Sequence, residues 1–290
     1  MPEMIAKTNM GLQRQSKPRR CLIGKVGISV VDMTTCLQLL DERVRKQCSG
    51  YVCVANVEAS MLSQRDPEFC RIQNESFLTL PDGMPLTWYA RMAGERNMQR
   101  VTGPDLMIAI LKVSAQYGYT HYFYGDTEDT LQKMREVIEE RFPGTAIAGM
   151  HSPPFRALTD QELNATIAEI NRLKPSFVWV GLGCPKQERW IGHVFPRIES
   201  SVLLGVGAAF RFLIGEYRHP PKVLQICGLE GIFWRVLHRP GYVLKWYAHH
   251  IPAYGALFLR GLAKRLMGSG LRDTEPDAAE PSDNHGKLAQ

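Results

Sequence analysis

The stretch Phe177-Val-Trp-Val-Gly-Leu-Gly183 is apolar throughout. A strand with one wet face alternates apolar and polar residues, so an unbroken run like this one demands cover on both faces. Further β-rich runs stand at 22–31, 51–55, 76–80, 119–124, 144–149 and 201–206, with this one placed over 176–182. Between and after them lie helical patterns near 34–47, 57–73, 84–93, 104–117, 128–141, 159–172 and 185–198. Strands alternating with helices of this length indicate an α/β fold, a Rossmann-like parallel sheet with flanking helices.

The formal net charge of +6 is unevenly placed. Residues 1–25 hold six basic residues and one acid, and residues 231–272 hold seven basic residues and none. The body between them is close to neutral. No nucleic-acid partner is expected, because the basic charge belongs to the flanks and no recognition motif accompanies it. Four segments follow: a flexible basic arm over 1–20, a catalytic domain over 21–230, a basic amphipathic helical appendage over 231–267 and a disordered acidic tail over 268–290. No apolar stretch follows the arm as a signal peptide requires.

The appendage's longest run without Lys or Arg covers 246–259, whereas a membrane-crossing helix needs about 20 apolar residues. Its mixture of basic and aromatic residues suits an anionic membrane surface. It equally suits a helical pair packed on the body with a solvated basic face. The seven cysteines are odd in number and form no CxxC pair, which favours free thiols in a reducing cytoplasm over zinc or redox chemistry.

In open α/β sheets, ligands sit beyond the carboxyl ends of the strands, and five such places carry polar residues. Asn56 follows the run ending at Ala55 and can face a sugar or nucleotide, or cap the next helix. Asp82 lies between Pro81 and Gly83, a sharp turn that suits either a general base or a helix cap. Gly125 precedes Asp126 and Glu128, where small residues and free amides at a helix mouth suit a diphosphate. Those two acids loosely resemble a metal-binding pair, but carboxylates in a first helical turn also satisfy the helix dipole unaided. Next, Gly183 and Gln187 belong to Gly181-Leu-Gly-Cys-Pro-Lys-Gln-Glu188, whose Lys186, Gln187 and Glu188 are expected to ring one helix mouth. Finally, Arg211 stands between Phe210 and Phe212, able to clamp a phosphate or carboxylate or to lie on the surface. The eight His residues show no metal-ligand spacing, and no Walker A or GxSxG sequence is present.

Taken together, Ala55-Asn56-x-Glu58, Pro81-Asp82-Gly83, Gln99-Arg100-Val-Thr-Gly103, Gly181-x-Gly-x-Pro-Lys-Gln-Glu188, Gly205-Val-Gly207, Pro220-Pro221 and Gly228-Leu-Glu230 closely resemble the WecG/TagA/CpsF bacterial glycosyltransferases. The resemblance runs over about residues 21–245. It implies an inverting, metal-independent enzyme that needs no cofactor. Such an enzyme moves a sugar from a UDP-sugar to a polyprenyl-diphosphate-linked saccharide at the inner face of the cell membrane. By that resemblance Asp82 is the catalytic base, while Asn56, Arg100 and Gln187 line the substrate pocket, and Arg235 on the appendage closes it.

The departures concern the donor. Ala55 stands where the family often has Thr, and Phe210-Arg211-Phe212 replaces a common Phe-Asp-Phe. Gly231 replaces a Trp, and two further appendage arginines fall on Tyr242 and Lys245. A hexose or N-acetylhexosamine-type sugar added to an exopolysaccharide or cell-surface polysaccharide is therefore the expected cargo. The alternative is a nucleotide-sugar-binding membrane scaffold without catalysis.

Overall fold

The computed structural model describes residues 18–230, 233, 236, 241, 252–261 and 263. Nearly all of the basic arm, much of the appendage including Arg235, and the acidic tail lie outside the described residues. A six-stranded parallel sheet forms the body, in the order β4-β3-β8-β7-β5-β6. Its strands are β3 (Gly50–Ala55), β4 (Leu78–Pro81), β5 (Thr120–Gly125), β6 (Ala146–His151), β7 (Phe177–Gly181) and β8 (Val202–Gly205).

The apolar run that requires two covered faces has them. Phe177 and Trp179 of β7 point into one core with Leu80, Phe123, Leu204 and Phe210, covered by Leu106, Met107 and Ile110. Val178 and Val180 point into the opposite core with Tyr124, Leu203, Ile167 and Ile191. The helices responsible are α5 (Gly103–Tyr117) and α1 (Met33–Arg45) on the first side, and α7 (Asp160–Leu173) and α8 (Lys186–Val194) on the second. Burying a side chain the size of Phe or Leu contributes about 1.5–3 kcal/mol, so both layers are needed to hold the central strand.

Three expectations are corrected. The run 22–31 is not one strand but an antiparallel hairpin, β1 (Arg20–Ile23) with β2 (Val26–Ser29). Gly24 turns it with φ +66°, a conformation that only glycine adopts freely. Arg20 then staples the hairpin to the body, donating to the carbonyls of Gly27, Gln73 and Ser76. The helix expected over 57–73 is two, α2 (Val57–Arg65) and α3 (Pro67–Glu75). Asp66 ends the first and caps the second, accepting from the Phe69 amide at 2.9 Å, and Pro67 has no N–H to continue the ladder. The helix expected to reach 198 stops at Val194 and tightens into a 3-10 turn over Phe195–Arg197, for the same reason at Pro196.

The remaining elements are α4 (Met84–Met92), α6 (Glu128–Arg141), α9 (Ala209–Leu213) and α10 (Lys222–Ile226). Of the appendage, residues 252–261 are helical and pack on the body beside α4. Tyr254 donates to the Pro85 carbonyl at 2.9 Å, and Phe258 meets Tyr89 edge-on at 6.0 Å. Leu259 and Arg260 of this stretch remain exposed. Among the described residues, no helix is long and apolar enough to cross a membrane.

Candidate active site

All the sheet's strands run the same way, so their carboxyl ends bring Asn56, Asp82, Gly125, Gly183, Gln187 and Arg211 to one edge of the molecule. At the β4 end, Asp82 begins the turn into α4, and its amide donates to the Ala55 carbonyl at 2.9 Å. That bond ties Asp82 to the neighbouring β3 end, where Asn56 sits. Asn56 caps α2, accepting from the Ala59 amide at 3.0 Å, and it remains partly exposed at the strand end.

The Asp82 carboxyl receives no hydrogen bond from any described residue. Burial raises its pKa to about 6, opposed by Arg100 and assisted by Glu230 and Asp105. A carboxylate that is poorly hydrated and unpaired is a stronger base than one in water. Arg100 is held beside it: its Nε donates to the Asp82 carbonyl at 2.7 Å, and its guanidinium pairs with Glu230. Gln225 of α10 lies 3.4 Å from the same guanidinium, and His219 reaches Glu230 at 4.0 Å. The segment leading into the appendage is thus tied to the group beside Asp82. Gly228-Leu-Glu230 was part of the quoted pattern, but nothing in the sequence assigns Glu230 to Arg100, 130 positions away.

Two glycines close the middle of the edge, and a third turns the chain there. Gly125, with φ +126°, sits opposite Gly181, and a Cβ there would lie 2.7 Å from the Gly181 backbone. Gly103 presses on the loop after β8, where a Cβ would come within 3.0 Å of the Val206 carbonyl. Gly183 differs. A Cβ there would meet nothing within 4 Å, yet φ is +77°, so the glycine serves the turn and has open space beside its backbone.

Lys186, Gln187 and Glu188 do not ring one helix mouth. Successive helical residues point about 100° apart, and the sequence resolves this by turning Lys186 outward and burying Gln187 and Glu188. The Gln187 carbonyl oxygen accepts from the Gly207 amide at 2.8 Å, and its NH₂ donates to Glu188 at 3.0 Å. Burial raises the Glu188 pKa, against the opposing pull of Gln187 and Cys184.

At the β5 end, Arg211 takes the carboxylate option. Its Nε and Nη2 reach the two oxygens of Asp126 at 3.0 Å each, and Nη1 reaches Glu216 at 2.9 Å. Asp126 also accepts from the Thr127 amide and the Thr130 hydroxyl. Glu128 lies in the first turn of α6. Among the described residues, no three His, Cys, Asp or Glu side chains come close enough to hold a metal ion.

Two relatives show what this arrangement is similar to. A protein of Staphylococcus aureus (strain NCTC 8325 / PS 47) is 24% identical over 217 residues, spanning 72% of this chain and 83% of the relative. One of Bacillus subtilis (strain 168) is 25% identical over 213 residues, spanning 72% and 80%. Both carry the name N-acetylglucosaminyldiphosphoundecaprenol N-acetyl-beta-D-mannosaminyltransferase. Residues 21–267, from the hairpin through the appendage, match the glycosyl transferase WecG/TagA/CpsF family, and this chain, with its free Asp82 at the strand end, is a member of that family.

Proposed function

We propose that the chain transfers a hexose or N-acetylhexosamine-type sugar from a UDP-sugar to a polyprenyl-diphosphate-linked saccharide, with inversion and without a metal ion. The product belongs to exopolysaccharide or cell-surface polysaccharide synthesis, and the enzyme works peripherally on the inner face of the cell membrane. One observation carries this reading: Asp82 is raised to about 6 and has no hydrogen bond from a described residue, at the end of a strand and next to Arg100.

Asp82 takes the proton from an acceptor hydroxyl as that oxygen attacks the anomeric carbon. The new C–O bond forms on the face opposite the departing UDP, the bond to the diphosphate breaks, and the anomeric configuration inverts. Arg100 stands where it can offset the charge that develops on the diphosphate. Asn56, Gln187, Gly125 and the open backbone at Gly183 border the donor, with Arg211 beyond them. Arg235 would approach from the appendage. The relatives' printed names support a lipid diphosphate acceptor, and the packed helix at 252–261 leaves basic Arg260 exposed for an anionic surface.

The test is UDP release from a panel of UDP-sugars, with and without a polyprenyl-diphosphate-linked acceptor, repeated in EDTA. Acceptor-dependent release that EDTA does not reduce, with inverted product by NMR, is expected. Release abolished by EDTA removes the metal-independent step, and a wild-type protein that binds UDP without turnover on any donor leaves only a scaffold.

A further inference from the structure

Glu188 is fully buried, and one of its carboxyl oxygens, Oε2, has no hydrogen-bond partner. The other, Oε1, accepts from the Gln187 side chain at 3.0 Å. Gln187 is itself buried and spends its own oxygen on the Gly207 amide at 2.8 Å. The acceptor on one side and the donor on the other allow the Gln187 amide a single orientation. The chain of contacts runs from the inside of α8 to the loop that joins β8 to α9, at the edge where Asn56, Asp82 and Gly183 also stand. Gly207 needs that anchor because it has φ +56°, outside the region that strands and helices enforce.

We infer that Glu188 is a positioning residue of the donor site: as a buried acceptor it fixes the Gln187 amide, and through it the Gly207 loop that borders the donor diphosphate. This rests on the proposed UDP-sugar reading. The groups that sense its charge are the Cys184 thiol in the loop before α8 and the Cys53 thiol on β3. Glu58 on α2 adds a further negative charge beside Cys184. Lys186 on the same helix is turned to solvent. A carboxylate among thiols and an acid lacks a compensating cation, and leaving it charged in a dry site is costly.

The experiment measures UDP affinity by calorimetry on the full-length wild type, Glu188→Gln and Glu188→Met, under one set of conditions. Glu188→Gln copies the side chain in shape and keeps an oxygen for Gln187, so its affinity is expected within about twofold of wild type. Glu188→Met fills the same space without an acceptor and is expected to bind UDP about tenfold more weakly, the scale of one lost hydrogen bond. Met binding as tightly as wild type, or Gln binding as weakly as Met, overturns the inference. If Glu188→Met does not fold, Glu188→Gln decides alone: retained affinity supports the buried acceptor, and a tenfold loss overturns it. Absence of UDP binding by the wild type overturns the UDP-sugar reading instead.

Discussion

Asp82 and Asp126 both follow a strand of the same sheet, and both begin the passage into a helix, yet they have opposite surroundings. Asp126 is saturated: Arg211 binds both its oxygens, and Thr127 and Thr130 add two more donors. Asp82 has no such donor among the described residues, and burial raises its pKa to about 6. A saturated carboxylate holds two segments together. An unsatisfied one is costly to the fold and ready to take a proton. The difference lies in what the rest of the chain supplies. Arg211 arrives on α9 beside β5, whereas Arg100 stops at the Asp82 backbone carbonyl and gives its guanidinium to Glu230.

The largest effect should come from Asp82→Asn. Loss of a general base is expected to lower transfer at least about a hundredfold, with UDP affinity unchanged by calorimetry. The same change should stabilise the protein. Because its folded pKa is raised, Asp82 binds its proton more tightly in the native state. Its contribution to stability is therefore greatest at low pH and is lost as pH rises from about 4 to about 6. Above that range Asn relieves a poorly hydrated charge, worth on the order of 1–3 kcal/mol, measurable by urea unfolding at about pH 8. A variant that is both inactive and less stable would break the contrast with Asp126.

Asp126→Ala tests the other side. It takes from Arg211 two of its three bonds, leaving only Glu216, and leaves the Thr127 amide and Thr130 hydroxyl without their acceptor, at a cost of about 2 kcal/mol. Urea unfolding should show a loss where Asp82→Asn shows a gain. Equal stability of wild type and Asp126→Ala would mean that the pair with Arg211 is only a surface contact.

How much of this could be read in the sequence depends on how far apart the partners lie. The parallel sheet was legible because an apolar strand such as 177–183 carries its own requirement for two covering layers. Asp82 was legible as well, since Pro81 and Gly83 mark a turn by local chemistry. The hairpin at Gly24 and the helix break at Asp66-Pro67 are local signals too, but each is short and sits inside a longer pattern that masks it. Arg20, Glu230 and Glu188 could not be assigned from sequence. Arg20 reaches carbonyls more than fifty positions away, Glu230 pairs with Arg100, and Glu188 is an acid whose burial contradicts its residue type. Arg211 is an intermediate case: a carboxylate partner was among its readings, but Asp126 as that partner, 85 positions away, was not.

The acid limb of activity offers a finer test of Asp82. Transfer should rise with pH across about 6 as Asp82 ionises. Arg100 lowers the Asp82 pKa, so Arg100→Met removes a favourable charge and makes the carboxyl harder to ionise. The limb should move to higher pH by about one unit, seen in normalised rate profiles whatever the loss of absolute rate. A limb that stays in place would separate Asp82 from Arg100 electrically, and a limb that Asp82→Asn retains would assign it to another group.

The smallest expected effect is Arg211→Lys, which asks whether the Asp126 site needs geometry or only charge. Arg211 makes two parallel bonds to Asp126 and a third to Glu216 through a planar fork. A lysine ammonium carries the same charge on a longer-range point, without the paired donors. If the pair works through geometry, Arg211→Lys should cost about 1 kcal/mol in urea unfolding, roughly half the loss from Asp126→Ala, because the charge on Asp126 stays compensated while one fork contact and the bond to Glu216 go. Transfer should change less than twofold by UDP release, since Arg211 is committed to Asp126 and not to the base. A large loss of transfer with little loss of stability would reverse this assignment: the guanidinium would then leave Asp126 to meet the donor, and the saturated end of the sheet would belong to the chemistry as fully as the unsatisfied one.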